Sequence, residues 1–323
     1  MTSTNHRPRR WRTVVAIAAI GLLALAGCSD NNDDEGGSSG GSGGSGGNAT
    51  EGGGGGGGDT IRISSQDFSE QKTLAQVYGQ YLESQGFEVD IQDPIGTRTQ
   101  IFAALTGGDV DLVLDYQGSA TVELGGEASS DADETYEALT TALEEQDLQA
   151  AAKSDAVDAN ALVALASWAE ENEVTTISDL ADLDGPLTLG GAPECAERDD
   201  CLLGYEGDTY GLDLEFTAVD YGPPLVAALE ADEIQLAQYG TTAPEISDGT
   251  IVVLEDDQGL QSAENVVPIF RSAVANDELV AALDEVSEQL TTGDMADWNK
   301  ATDVDKEDPA DVATAWLEEK GLL

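Results

Sequence analysis

Apolar residues recur along this chain with two alternating periods. Residues 61–64 read as a first strand. Beyond a capping Ser69, the residues Leu74, Val77, Tyr78, Tyr81 and Leu82 share one face of a 3.6-residue period. Gly86 ends that helix, residues 87–91 form a second strand, and residues 97–106, with Ile101, Phe102 and Leu105, form a short helix. Next comes DVDLVLDYQGSAT, residues 109–121. Its run of Val110, Leu112, Val113 and Leu114 has the look of a strand buried on both faces. The run breaks off at Asp115-Tyr116, and Gly118 interrupts regularity. Ligands in open α/β sheets sit beyond the carboxyl ends of strands, so this stretch is the first candidate site.

Further on, residues 136–145 read as a helix, 161–166 as a strand, and Ser178-Asp179-Leu180 as a capped short helix. Strands follow at 186–189, 215–219, 234–238, 251–254 and 266–270, with a helix at 225–229 between them. The tail is helical at 277–290, around Trp298, and at 308–320. That last helix carries Asp308 as N-cap, Pro309 at its first position and Gly321 as C-cap. The alternation of strand and helix runs twice, bracketed by the strands at 161–166 and 266–270. It predicts an α/β fold of mixed sheets covered by helices, in two lobes joined by two crossing strands. A single uninterrupted sheet produces the same local patterns.

The N-terminus is of another kind. Arg7, Arg9, Arg10 and Arg12 precede an uncharged segment at 14–26, of signal-peptide length. It ends Leu25-Ala26-Gly27-Cys28, which resembles the bacterial lipobox. Residues 1–27 are therefore expected to be a signal peptide and Cys28 to be lipidated, anchoring the chain to the outer face of the membrane. Residues 28–58, acidic and then Gly/Ser-rich, form a tether; residues 36–58 alone reach roughly 25–30 Å.

Charge narrows the function. The chain holds 64 acidic and 13 basic residues; the first 58 positions account for five and four, leaving 59 against 9. Such a body is no partner for nucleic acid and suits high external salt. The only histidine, His6, lies in the leader, which excludes Ser-His-Asp and Cys-His catalysis and histidine-based metal sites. No cofactor or metal is expected. Cys195 and Cys201, exported and six positions apart, are expected to form a local disulfide closing the loop around Arg198.

Several segments, in order, carry a resemblance: DFSEQKTLAQVYGQYLESQGFEV, GTRTQIFAALTGGDVDLVLDYQGSAT, TTISDLADL, GAPECAERDDCLLG, YGLDLEF, QYGTT, VVLEDDQG and DVATAWLEEKGLL. The chain resembles the substrate-binding proteins of ABC importers for glycine betaine, carnitine, choline and proline betaine. The resemblance implies a two-lobed periplasmic-binding-protein fold, type II-like, with a cleft between lobes made of residues 59–160 plus 267–323 and of residues 161–266. It also implies a permease that receives the ligand; the chain itself is expected to be a monomer. Aromatic rings would box the quaternary ammonium, which has no N–H to donate, and an arginine would hold a carboxylate.

Matched to the family's motifs, Tyr116 and Tyr239 stand at its two principal tyrosines and Arg198 at its arginine. Phe102 and Tyr221 fall near further aromatic positions. Asp115 and Thr241 adjoin the tyrosines, and Gln66 stands where some members carry Lys-Pro. The sequence departs from the family at Thr241-Thr242-Ala243, which lacks the aspartate frequent there. Three other readings compete: a choline- or amino-acid-binding relative, an anchored hydrolase using Asp256-Asp257, and a sensory or structural lipoprotein.

Overall fold

The apolar run at Val113 lies at the middle of a five-stranded sheet. The computed structural model describes residues 60–183 and 185–323; the leader, Cys28 and the Gly/Ser-rich segment lie outside the described residues. In chain order the structure builds β1 (Ile61–Ile63), α1 (Ser69–Ser84), β2 (Val89–Ile91), α2 (Arg98–Gly107), β3 (Leu112–Tyr116), α3 (Gln117–Glu123), α4 (Ala132–Glu144) and β4 (Leu148–Ala150). The second run is β5 (Asn160–Leu165), α5 (Ala166–Glu171), β6 (Leu187–Gly191), α6 (Leu202–Glu206), β7 (Leu214–Ala218), α7 (Pro223–Glu230), β8 (Leu236–Gly240), α8 (Pro244–Ser247) and β9 (Ile251–Val253). The chain then returns through β10 (Val266–Arg271) to α9 (Asp277–Gln289), α10 (Thr292–Asn299) and α11 (Pro309–Lys320).

Two mixed sheets result, in the orders β2-β1-β3-β10-β4 and β7-β6-β8-β5-β9, so the fold has two lobes rather than one sheet. In the first, β1 runs parallel to β2 and β3, while β10 runs antiparallel to β3 and pairs Val266 with Tyr116. Alternation explains the continuous apolar run. Leu112, Leu114 and Tyr116 enter the core beneath α1, whereas Val113 enters the opposite one with Ile101, Phe102 and Leu139. Both faces are buried, so both sets must be apolar.

The lobes are joined by a short antiparallel ribbon. Ser154 N donates to Val266 O at 2.9 Å, Val266 N to Ala156 O at 2.9 Å, and Asp158 N to Glu264 O at 3.1 Å. A third contact comes from the C-terminal helices: Asn299 Nδ2 donates to Thr242 O at 2.9 Å, and Ser247 donates to Asp297.

Three local expectations are corrected. Ser69 does not cap α1, because its hydroxyl donates to Asp303 Oδ1 at 2.5 Å instead. The last strand before Tyr239 shifts to Leu236–Gly240, because pairing with β5 places Tyr239 opposite Ala161 inside the ladder. Gly118 does not break regularity but sits within α3. A Cβ there would meet Ala263 O at 2.7 Å and Glu264 Oε1 at 2.9 Å, so glycine permits the helix to press against the crossing strand. Gly118→Ala should therefore destabilise the protein by about 1–3 kcal/mol, seen as a lower Tm, although alanine is the better helix former by about 1 kcal/mol. A raised Tm would show that the close approach is not needed.

Candidate functional site

Where the ribbon meets both sheets, a cavity of about 520 Å³ opens between the lobes. Three tyrosines line it. Tyr116 ends β3 in the first lobe, Tyr239 lies near the end of β8 in the second, and Tyr221 stands in the turn before α7. The Tyr221 and Tyr239 rings stack with centroids 4.7 Å apart and planes 21° apart. Tyr239 is buried beneath, while Tyr221 is 62% exposed and offers its outer face.

Arg198 reaches the same cavity from the loop that the Cys195–Cys201 disulfide closes, with Cα atoms 5.3 Å apart. Its Nε donates to Asp200 Oδ1 at 2.8 Å and its Nη2 donates to the other oxygen. The four arginines among the described residues are all held this way. Arg62 and Arg271 share the buried Asp111, and Arg98 makes a two-pronged pair with the buried Asp115 at 2.9–3.1 Å. The Arg198–Asp200 pair is the exposed one, with 42% and 40% of the two side chains open to solvent.

Acids complete the wall. Asp158 from the ribbon and Glu264 from its partner strand both line the cavity. Glu264 accepts from Ser119 N at 2.9 Å and Ser119 Oγ at 3.0 Å, and burial raises its pKa. Beneath Tyr116 lies Glu70 of α1, wholly buried. It accepts from the Tyr116 hydroxyl and, at 2.6 Å, from Asn299 Nδ2. Asp158 accepts from Thr242 Oγ1 at 3.0 Å. Burial first, then the neighbouring Asp158 carboxylate, push Glu70 up to about 8, against hydrogen bonds that favour its ionised form. Burial likewise raises Asp158. Both carboxyls are held above the ordinary carboxylate range. The cavity wall thus combines three tyrosine rings with acidic and basic side chains.

The structure thus brings Tyr116, Tyr239, Tyr221 and Arg198 to one cavity. It does not bring the other sequence candidates to it. Phe102 packs in the core between α2 and the first sheet. Asp115 spends its carboxylate on Arg98 and on the Tyr116 amide at 2.9 Å. Thr241 binds the ribbon, donating to Val157 O at 2.7 Å and accepting from Ala159 N at 3.0 Å. Gln66 bridges to Gly96 in the first lobe. Arg98, Asp158, Glu264 and Glu70 escape the sequence reading. Their one signal is position, since Asp158 and Glu264 flank the two bracketing strands. A larger opening, about 720 Å³, lies beside Asp131 and Glu255–Gln258 but has no aromatic residue in its wall. Asp256 there accepts from Leu260 N at 2.9 Å and Gln261 N at 2.7 Å, so half of the Asp256-Asp257 pair is engaged in holding a loop.

A family model described as the substrate binding domain of the ABC-type glycine betaine transport system matches residues 59–319. The chain belongs to this family. The glycine-betaine-binding protein of Pseudomonas aeruginosa is 28% identical over 280 residues, spanning 82% of this chain and 89% of that protein. Apo YehZ from Escherichia coli has a TM-score of 0.75 at 23% identity, over 82% of this chain and 100% of that one. A structure titled as a glycine betaine/carnitine/choline ABC transporter also has a TM-score of 0.75, at 20% identity, over 81% of this chain and 99% of that one. At these identities the structures show the two-lobed binding-protein fold. Membership makes the chain an extracytoplasmic substrate-binding protein, a component of a transport system, with a small-molecule ligand and a permease as partners.

In this family member the pair beneath Tyr116 has a pH signature. Glu70 is raised in the folded state from an ordinary value of about 4.5 to about 8, so the folded protein holds a proton that the unfolded chain has released. The stability it contributes is full at low pH and is lost as pH rises through the folded value. Tm should fall from about pH 5 to about pH 9, and fall less in Glu70→Gln. Parallel pH profiles for the two proteins would refute the assignment.

Proposed function

We propose that the protein is a lipid-anchored receptor, at the outer face of the cell membrane, for a quaternary ammonium compatible solute of the glycine betaine class. The observation that carries this reading is the convergence of Tyr116 from one lobe with Tyr221 and Tyr239 from the other on one acid-lined cavity. A trimethylammonium head is held by ring faces, each contributing roughly 0.5–2 kcal/mol, and by the negative field of Asp158 and Glu264. A carboxylate tail is held by Arg198. Arg98 does not compete for it, because its fork is already filled by a buried aspartate. The relatives named for glycine betaine binding support the ligand class.

Anchoring rests on Cys28 and the lipobox-like segment, and the Gly/Ser-rich tether lets the body meet its permease. A ligand that touches both lobes binds the closed arrangement better and so favours it; the ribbon at 154–158 and 264–266 is the hinge. The acidic surface suits a salt-rich exterior, where such a solute is needed, and one folded body serves as the binding unit.

Isothermal titration tests the reading. Glycine betaine should bind with one-to-one stoichiometry and proline weakly. Tyr116→Ala should weaken binding by about tenfold or more, since it removes one ring and uncovers Glu70. Binding unchanged in Tyr116→Ala and in Tyr239→Ala would exclude the aromatic box.

A further inference from the structure

The proposed carboxylate clamp is already occupied. Arg198 turns its Nε and Nη2 edge, the edge that suits a carboxylate, fully onto Asp200. The two residues are two positions apart in a loop tightened by the disulfide. Backbone bonds add to this, Cys201 N donating to Arg198 O at 3.2 Å and Arg198 N to Cys195 O at 3.3 Å. Asp200 is itself steadied, its carboxylate receiving Asn160 Nδ2 at 3.3 Å and its backbone carbonyl Gln261 Nε2 at 2.9 Å. All of these residues except the cysteines line the cavity. The partners of the other arginines, Asp111 and Asp115, are sealed in the core, where a ligand cannot displace them.

We infer that Asp200 is a specificity-determining residue: its carboxylate is an internal competitor for Arg198, which a ligand's own carboxylate must displace. This inference rests on the proposed quaternary-ammonium reading. A zwitterion such as glycine betaine exchanges one Arg198 ion pair for another. A cation without a carboxylate, such as choline, leaves Arg198 with Asp200 and keeps the acidic wall intact. Asp200 therefore narrows the preference for betaines that Arg198 would otherwise impose. Because the pair is solvent-screened, its worth is roughly a 1.5- to 5-fold factor in an equilibrium constant, small enough for a ligand to overcome.

The test is isothermal titration of wild type and Asp200→Asn with glycine betaine and with choline. The betaine-to-choline affinity ratio is the readout, since removing one negative charge weakens attraction for both ammonium heads alike. The ratio should rise about 1.5- to 5-fold in favour of betaine in Asp200→Asn. In an Arg198→Gln background the same substitution should leave the ratio unchanged. A ratio that falls would show that Asp200 orients Arg198 for the ligand, and an unchanged ratio in Asp200→Asn would show that the two never compete; either overturns the inference. Wild type that binds neither ligand would instead overturn the proposed function, and this inference with it. A Tm equal to wild type identifies the variants as folded.

Discussion

The antiparallel pairing of two crossing segments, 154–158 with 264–266, is the constraint on which the rest depends. It delivers β5 to one sheet and β10 to the other, and so fixes where the two lobes can meet. The same pairing sets Asp158 and Glu264 side by side at the cavity mouth. It also demands glycine at position 118, where a helix rests on the ribbon. Its backbone hydrogen bonds fix the register of the two segments, and with it the positions of Asp158 and Glu264 in the cavity wall.

Around that ribbon the electrostatics follow from scarcity. Nine cationic residues serve 59 acids in the folded part, and each arginine is committed to an aspartate. Buried pairs at Asp111 and Asp115 have a structural role, because breaking either would strand a charge in the core. The surplus acid faces water over most of the body, where salt screens it. Within the cavity Asp158, Asp200 and Glu264 share the wall with Arg98 and Arg198. The raised pKa of Glu70 is the counterpart of this arrangement: an acid too many beneath Tyr116 is tolerated by keeping its proton.

Much of this was legible in the residues. The continuous apolar runs of β3 and β10 and the 3.6-residue period of α1 marked the layers, because burial on one or both faces leaves a direct imprint on hydrophobic spacing. Tyr116, Tyr239, Tyr221 and Arg198, singled out through the motifs around them, line one cavity. Phe102 was misleading, since a phenylalanine on an apolar helix face looks the same whether it meets a ligand or a core. Glu70 and Asn299 were not visible at all, and Asp158 showed only in its place before a bracketing strand. They are 88 or more positions apart and meet only when the ribbon, α1 and α10 converge, and no local pattern encodes such a meeting. Pairing inside the ladder also moved β8 toward Tyr239, which propensity alone places outside it.

The proposed function places a quaternary ammonium between the lobes, against tyrosine rings. A crystal structure with glycine betaine bound tests it most directly. The ammonium nitrogen should lie within about 6 Å of the ring centroids of Tyr116 and Tyr221, with Tyr239 backing the Tyr221 ring and the ligand carboxylate on Arg198. A ligand seated in the aromatic-free opening beside Asp256, or in the cleft without ring contact, would contradict it.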